Sequence, residues 1–391
     1  MKFLPAAFVC LLCLTIGARE DILISSVTKF SPLMVAMIFG SMIAGSTPLG
    51  GGVVAFPVTV LILSFTPSQG RDFSLLIQSV GMTAASFLIF SEKEHLLNGE
   101  GFLMAAFCFF SCVGLVIGFY IQSKLSPFVV NVFYTASVAC FAIILAGISS
   151  SSHGEHMKDL TGHESQIEFR AEKGESQAFC DRVETDERLI QSHLRPRSKS
   201  MSRKSEPISS ANPETNKFHV LLVWFGLAFS GIVGGILSSQ IGTGADIAWY
   251  VYGCLLNWSS SSCLNTSSSA AKTTRFSENS LTAISIIVMA CTSVNGSILR
   301  VTTQSSLESK VDSDVYEALL ACSFIVVFGA PLGSTLLTPS HQKKLKVLFN
   351  FFAFLQLVLF GTIKIKGNAP AWACITVALT VACAISFRIR R

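Results

Sequence analysis

The chain has 391 residues, half of them hydrophobic, with only 14% charged and a mean hydropathy of +0.57. A soluble domain carries about 25% charged residues, so this composition excludes an ordinary soluble enzyme and points to a membrane protein. The net charge of +5 is modest, and its basic residues cluster at segment ends, which suits positive-inside topology and offers no nucleic-acid surface.

The first 18 residues place Lys2 before an apolar run that ends in Gly17-Ala18. This pattern predicts a signal peptide over 1–18, with an uncleaved first anchor as the alternative. Residues 30–70 then contain no Asp, Glu, Lys or Arg. One bilayer crossing takes roughly 20 apolar residues, so this run is long enough for two. Its middle, Pro48-Leu49-Gly50-Gly51-Gly52, is a poor place to continue a helix, because proline lacks a backbone donor and glycine is entropically costly there. Non-helical backbone at membrane depth persists only where protein buries it or where it lines a wet cavity. A helix broken at a binding site is the first reading; a tight turn at the membrane surface is the second.

Three uncharged segments follow, at 73–91, 101–123 and 125–152, separated by short charged joints such as Arg71-Asp72 and Glu92-Lys93-Glu94-His95. The character then changes. Residues 150–217 hold 12 acidic and 11 basic residues and few large apolar ones, which predicts a disordered charged loop over 151–217. The second half, from 218, is interrupted by Asp246 alone up to 271, and further apolar segments lie at 279–299, 318–340, 347–363 and 367–387. Placing the basic C-terminus, Arg388 to Arg391, in the cytosol puts Lys272, Arg275 and the basic end of the long loop inside as well, and Arg71 outside. The 12 cysteines read as small packing residues. Cys108 and Cys112 share a helical face but have no histidine or second pair nearby to complete a metal site, and no cofactor is expected.

A shift of 192 residues lays Gly50-Gly51-Gly52 on Gly242-Thr243-Gly244 and Ser79 on Ala271. A shift of 215 lays the Gly114-x-x-x-Gly118 pattern on Gly329-x-x-x-Gly333. Five segments per half is an odd number, so the second half enters from the opposite side. The expected fold is an all-α polytopic membrane protein of two inverted repeats, 30–150 and 218–363, with Gly-broken first helices. An extra helix over 367–387 brings the total to roughly 8–11 transmembrane segments. Inverted repeats with matching broken helices point to a secondary transporter and its midplane site.

Gly50-Gly51-Gly52-Val53-Val54-Ala55-Phe56-Pro57 resembles the first-repeat signature of the sulfite exporter TauE/SafE family, also called the TSUP permeases. Gly329-x-x-x-Gly333, followed by Lys343, Lys344, Lys346 and a Leu345-x-x-x-Phe349 start, resembles that family's last-repeat signature. The resemblance covers roughly 32–146 and 219–364. It implies transport of sulfite, sulfonates or related small sulfur-containing or organic anions by alternating access. The second-repeat motif, Ser239 to Asp246, departs from a Gly-Gly-Gly pattern, and the long central loop exceeds the family core.

A helix restarting after a glycine break has unpaired N–H groups and a positive dipole end, which suits an oxyanion. The expected substrate-binding set is therefore Gly50, Gly51, Gly52, Gly242, Thr243 and Gly244 through their backbone. Thr47, Gln78, Ser79, Gln240 and Thr243 would add side-chain donors. Asp246 is the coupling candidate, since a carboxylate inside a membrane costs at least about 2.5 kcal/mol. Beside an anion it repels unless protonated, so proton coupling is the expectation. The Thr243-x-x-Asp246 spacing also fits a capping box. An enzyme is not expected: Gly242-Thr243-Gly244 lacks a dinucleotide-site context, and an intramembrane aspartyl protease needs a second Asp within a span, which the segment boundaries do not supply. The expected partners are the lipid bilayer and a small anion, with no nucleic acid. The expected location is a plasma membrane or endomembrane. A non-transporting receptor or scaffold acting through the charged loop is the alternative reading.

Overall fold

The computed structural model describes residues 22–48, 50–93, 100–122, 213–263, 276–302, 311–335 and 369–390, with scattered positions at 97, 124–143 and 347–358. Among the described residues all regular structure is helical. The signal-peptide segment, nearly all of the charged loop, and Lys272 and Arg275 lie outside them.

The helices in chain order are α1 (Ile22–Lys29), α2 (Ser31–Ser46), α3 (Gly52–Pro57), α4 (Pro67–Glu92), α5 (Gly101–Gln122), α6 (Pro213–Ile241), α7 (Ala245–Cys263), α8 (Glu278–Thr302), α9 (Ser313–Thr335) and α10 (Ala369–Arg390). A single π-helical turn, Val58–Ile62, extends α3. By length and composition five of the described helices can cross a membrane: α4, α5, α6, α8 and α9. Large apolar side chains face outward on α5 and α6, including Phe102 at 73% exposed and Phe225 at 71%. Outward aromatics of this size suit lipid rather than water. The protein is an integral membrane protein.

Two boundaries differ from the sequence reading. Helix α4 starts at Pro67, six residues before the apolar segment at 73–91, because a capping box closes its N-terminus. Gln69 N–H donates to Thr66 Oγ1 at 3.3 Å, and Thr66 N–H donates to Gln69 Oε1 at 2.8 Å. Arg71 and Asp72 therefore sit inside the helix, where they are buried, rather than in a solvent joint. Helix α6 starts at Pro213, inside the expected loop. A proline at the first helical position costs nothing there.

The middle of the molecule is α4 and α8. Every residue from Arg71 to Gln78 and from Leu281 to Ala290 is buried. Around this pair, glycine and serine set two close helix crossings. Helix α5 meets α6 where Gly114 lies on the Ile232 backbone and Gly235 lies on the backbones of Ser111 and Leu115. Helix α9 meets α2 where Gly45 lies on the Ala330 backbone and Gly333 on the Met42 backbone. Small residues let membrane helices approach to backbone contact, where dispersion and weak C–H···O contacts replace the missing hydrophobic drive. An aromatic cluster, Phe107 against Trp249 at 5.2 Å and Trp249 against Phe276 at 5.9 Å, joins α5 to α7.

These crossings predict a contrast between two glycines of one helix. Gly114→Val forces α5 off α6 and lowers the thermal unfolding midpoint of detergent-purified protein by several degrees or abolishes folding. Gly101→Ala, with nothing within 4 Å of the added methyl, leaves the midpoint unchanged.

Candidate functional site

The backbone leaves the helical path twice between buried helices. Helix α2 ends at Ser46, Thr47 is extended at φ −133° and ψ 157°, and Gly50 turns the chain at φ +52° before α3 begins at Gly52. Helix α6 ends at Ile241, and Gly242 (φ +83°) and Gly244 (φ +151°) carry the chain into α7. Left-handed values at Gly50 and Gly242 are ones that residues with a side chain adopt only under strain. Thr47, Gly50, Gly51, Gly52 and all residues from Gly242 to Asp246 are buried, which excludes an exposed surface turn at either place.

The two interruptions meet across α4. Gln78 Nε2 donates to Gly242 O at 3.0 Å and to Ser74 Oγ at 2.7 Å. On the other side, a methyl placed on Gly52 would stand 2.5 Å from Ser74 Oγ and 2.7 Å from Gln78 Nε2. One placed on Gly50 would stand 2.6 Å from Gln78 Oε1, 2.9 Å from Asp246 Oδ2 and 2.9 Å from Thr243 Oγ1. Seven residues thus form one buried constellation: Gly50, Gly52, Ser74, Gln78, Gly242, Thr243 and Asp246.

Asp246 is fully buried, and its carboxylate closes the start of α7. Oδ1 accepts from Gly244 N–H at 3.0 Å and Ile247 N–H at 2.9 Å, and the Thr243 hydroxyl lies 3.3 Å from both carboxylate oxygens. Ala245 N–H donates to Ser238 Oγ at 3.0 Å. The amide donors of this helix start are therefore already engaged by the chain's own side chains.

The other expected residues lie elsewhere. Thr47 Oγ1 donates to Ile43 O at 2.7 Å and closes α2. Gly51 faces Ala44 and Met37 of α2. Gly244 faces Leu237 and Ser238. Ser79 Oγ donates to Leu76 O of its own helix at 2.7 Å. Gln240 Nε2 donates to Gly118 O at 2.8 Å, at the crossing of α5 and α6. A cavity of about 320 Å³ opens between α4 and α8 beside Thr83, Ser86, Cys291 and Asn295, and none of the expected site residues lines it. Among the described residues no group of metal-ligating side chains occurs.

One turn along α4 from Ser74 lies a buried ion cluster that sequence reasoning did not anticipate. Arg71 donates to Asp72 Oδ1 through Nε at 2.9 Å and through a terminal nitrogen at 2.6 Å, and Arg300 Nε reaches both Asp72 oxygens at 3.1 Å. Arg71 also lies over the Phe119 ring, 5.7 Å from its centroid. Asp72 is thus a second acidic residue inside a span, contrary to the sequence reading. Two guanidinium groups hold its carboxylate, which is no arrangement for a catalytic dyad. Ser74 was missed with it. The signal that locates both is the Thr66-x-x-Gln69 cap, which places Arg71, Ser74 and Gln78 on one face of the helix.

A family model described as Sulfite exporter TauE/SafE matches residues 33–360, most of the chain. No curated protein and no solved structure matches.

Two stability experiments test this geometry. Gly50→Ala meets three oxygens at under 3 Å and a strained φ, so it destabilises markedly, whereas Gly51→Ala, whose nearest neighbour is 3.6 Å away, is tolerated. Asp72→Asn removes the carboxylate that two buried arginines share and costs about 3 kcal/mol by denaturant unfolding, far more than an exposed pair is worth.

Proposed function

The chain belongs to the sulfite exporter TauE/SafE family, a transporter family, and from that premise we propose that it is a secondary transporter of small anions, sulfite, sulfonates or other sulfur-containing organic anions. The observation that carries the reading is the meeting of two buried helix interruptions, from opposite halves of the chain, on Ser74 and Gln78 of α4. The substrate sits between them. Gly50 and Gly52 let an oxyanion approach the backbone at the start of α3, while the Ser74 hydroxyl, which accepts from Gln78, is left to donate. Such sites hold an anion by hydrogen bonds and helix dipoles rather than by a fixed countercharge, which keeps release fast.

The halves are inverted repeats in this reading, 30–150 and 218–363, followed by the extra helix over 367–387. The reciprocal crossings support it: the Gly-x-x-x-Gly helix of each half packs against the first helix of the other, α5 on α6 and α9 on α2. Rocking one repeat against the other about these crossings would expose the constellation to each side in turn. The long loop and the C-terminus are cytoplasmic, and the host is a plasma membrane or endomembrane. Arg71, Asp72 and Arg300 close the outer side above the site. Asp246 is the coupling residue. A bare carboxylate beside an anion repels it, so the loaded carrier needs a proton on Asp246 or another cation beside it.

Flux into proteoliposomes tests the reading. Labelled sulfite, methanesulfonate or thiosulfate enters saturably. Gln78→Leu reduces the rate by about tenfold or more, because it removes the amide that holds Ser74 in place and leaves Gly242 O without its amide partner. Correctly inserted protein that moves none of these anions, nor a carboxylate, overturns the proposal in favour of a receptor or scaffold.

A further inference from the structure

Asp246 and Gln78 present a problem that the anion does not solve. The Asp246 carboxylate is completely buried, and the ion pairs among the described residues involve Lys29, Arg71 and Arg300 with Asp72, Asp314 and Glu317, never Asp246. A buried carboxylate is retained only with a compensating positive charge or an added proton. Its Oδ1 is well provided with backbone donors, and Oδ2 lies 3.3 Å from the Thr243 hydroxyl. Gln78 is 2% exposed, and its orientation is set by chemistry: Nε2 must be the atom facing Gly242 O, because a carbonyl oxygen only accepts. That turns Oε1 towards Gly50, where it is buried with no hydrogen-bond partner.

We propose that Asp246 Oδ2, Gln78 Oε1 and Thr243 Oγ1 form a sodium-binding site over Gly50. All three oxygens lie within 2.6–2.9 Å of the single position that a side-chain carbon on Gly50 would fill. The missing side chain lets the three oxygens close in on one spot against the Gly50 backbone, where a larger residue would hold them apart. The donor set is one carboxylate and two neutral oxygens, a formal charge of −1, which matches a monovalent cation. Calcium and magnesium draw on more oxygens or carboxylates, and among the described residues no cluster of three or more acidic, histidine or cysteine side chains surrounds Asp246. A proton would need only two oxygens, whereas three converge here. Unwound backbone beside a half-helix end is also where membrane carriers place coupling ions.

The ion would join α4 of the first half to the α6–α7 interruption of the second. It would neutralise Asp246 when an anion arrives, so both load together. That coupling role rests on the transporter reading; the binding of sodium does not.

Equilibrium measurements without transport separate the two. The purified full chain is held in detergent at fixed pH and constant ionic strength, and its thermal unfolding midpoint is followed as sodium chloride replaces choline chloride or potassium chloride. The wild type gains a saturable, sodium-specific rise. Asp246→Asn, which keeps the shape of the carboxylate, loses the rise. Thr243→Val and Gln78→Leu weaken apparent sodium affinity by about tenfold or more. Thr83→Val, on α4 beside the separate cavity, retains the full response. Direct binding of radioactive sodium, counted on the folded fraction of each variant, gives the same ranking even if a substitution lowers yield. No sodium-specific rise in the wild type, an undiminished rise in Asp246→Asn, or a midpoint that follows pH alone would each overturn the proposal. Sodium binding without anion flux contradicts only the transporter reading, and anion flux without sodium binding contradicts only this one.

Discussion

Backbone that leaves the helical path inside a bilayer has to find its hydrogen bonds within the protein, and the rest of this structure depends on how that is met. The answer is α4. One face of this helix carries Arg71, Ser74 and Gln78, and that face receives both interruptions: Gln78 Nε2 takes Gly242 O, and Ser74 packs against Gly52 and Gly242. The second interruption also closes on itself, through Asp246 and Ser238 at the start of α7. Without these partners several polar groups would stand unpaired in hydrocarbon surroundings, each at a cost of several kcal/mol.

The polar face can be afforded because the helices around it are held by other means. Glycine and serine let α5 meet α6 and α9 meet α2 at backbone distance, and the aromatic cluster of Phe107, Trp249 and Phe276 adds bulk packing at α7. Above the constellation, Asp72 bridges α4 to α8 through Arg300. A buried ion cluster of this kind contributes little net stability compared with apolar packing. What it does supply is one defined register between α4 and α8.

The membrane class, the helical fold and the family were legible because they rest on local signals: apolar runs of bilayer length, proline beside glycine, and the Gly50 to Pro57 and Gly329 to Phe349 motifs. The pairing of Gly50 with the 242–244 segment was legible from spacing. Arg71 and Asp72 were not, since a charged pair beside an apolar run looks like a solvent joint and the second arginine on Asp72, Arg300, lies 228 residues away. Ser79 and Gln240 illustrate the reverse limit. Both have the right chemistry beside the right motif, but Ser79 bonds its own helix and Gln240 serves the α5–α6 crossing. Residues share a helical face by their spacing, so a start placed six residues late leaves Arg71 outside the helix and off the face it shares with Ser74 and Gln78.

The central claim is that an oxyanion binds where the two interruptions meet. Anomalous diffraction from crystals soaked in selenite, a heavier analogue of sulfite, addresses it directly. A selenium peak within hydrogen-bond reach of Ser74, beside Gly50 and Gly52, is the expected result. A peak confined to the cavity between α4 and α8, or to the outer arginines, with none between the interruptions, would contradict it.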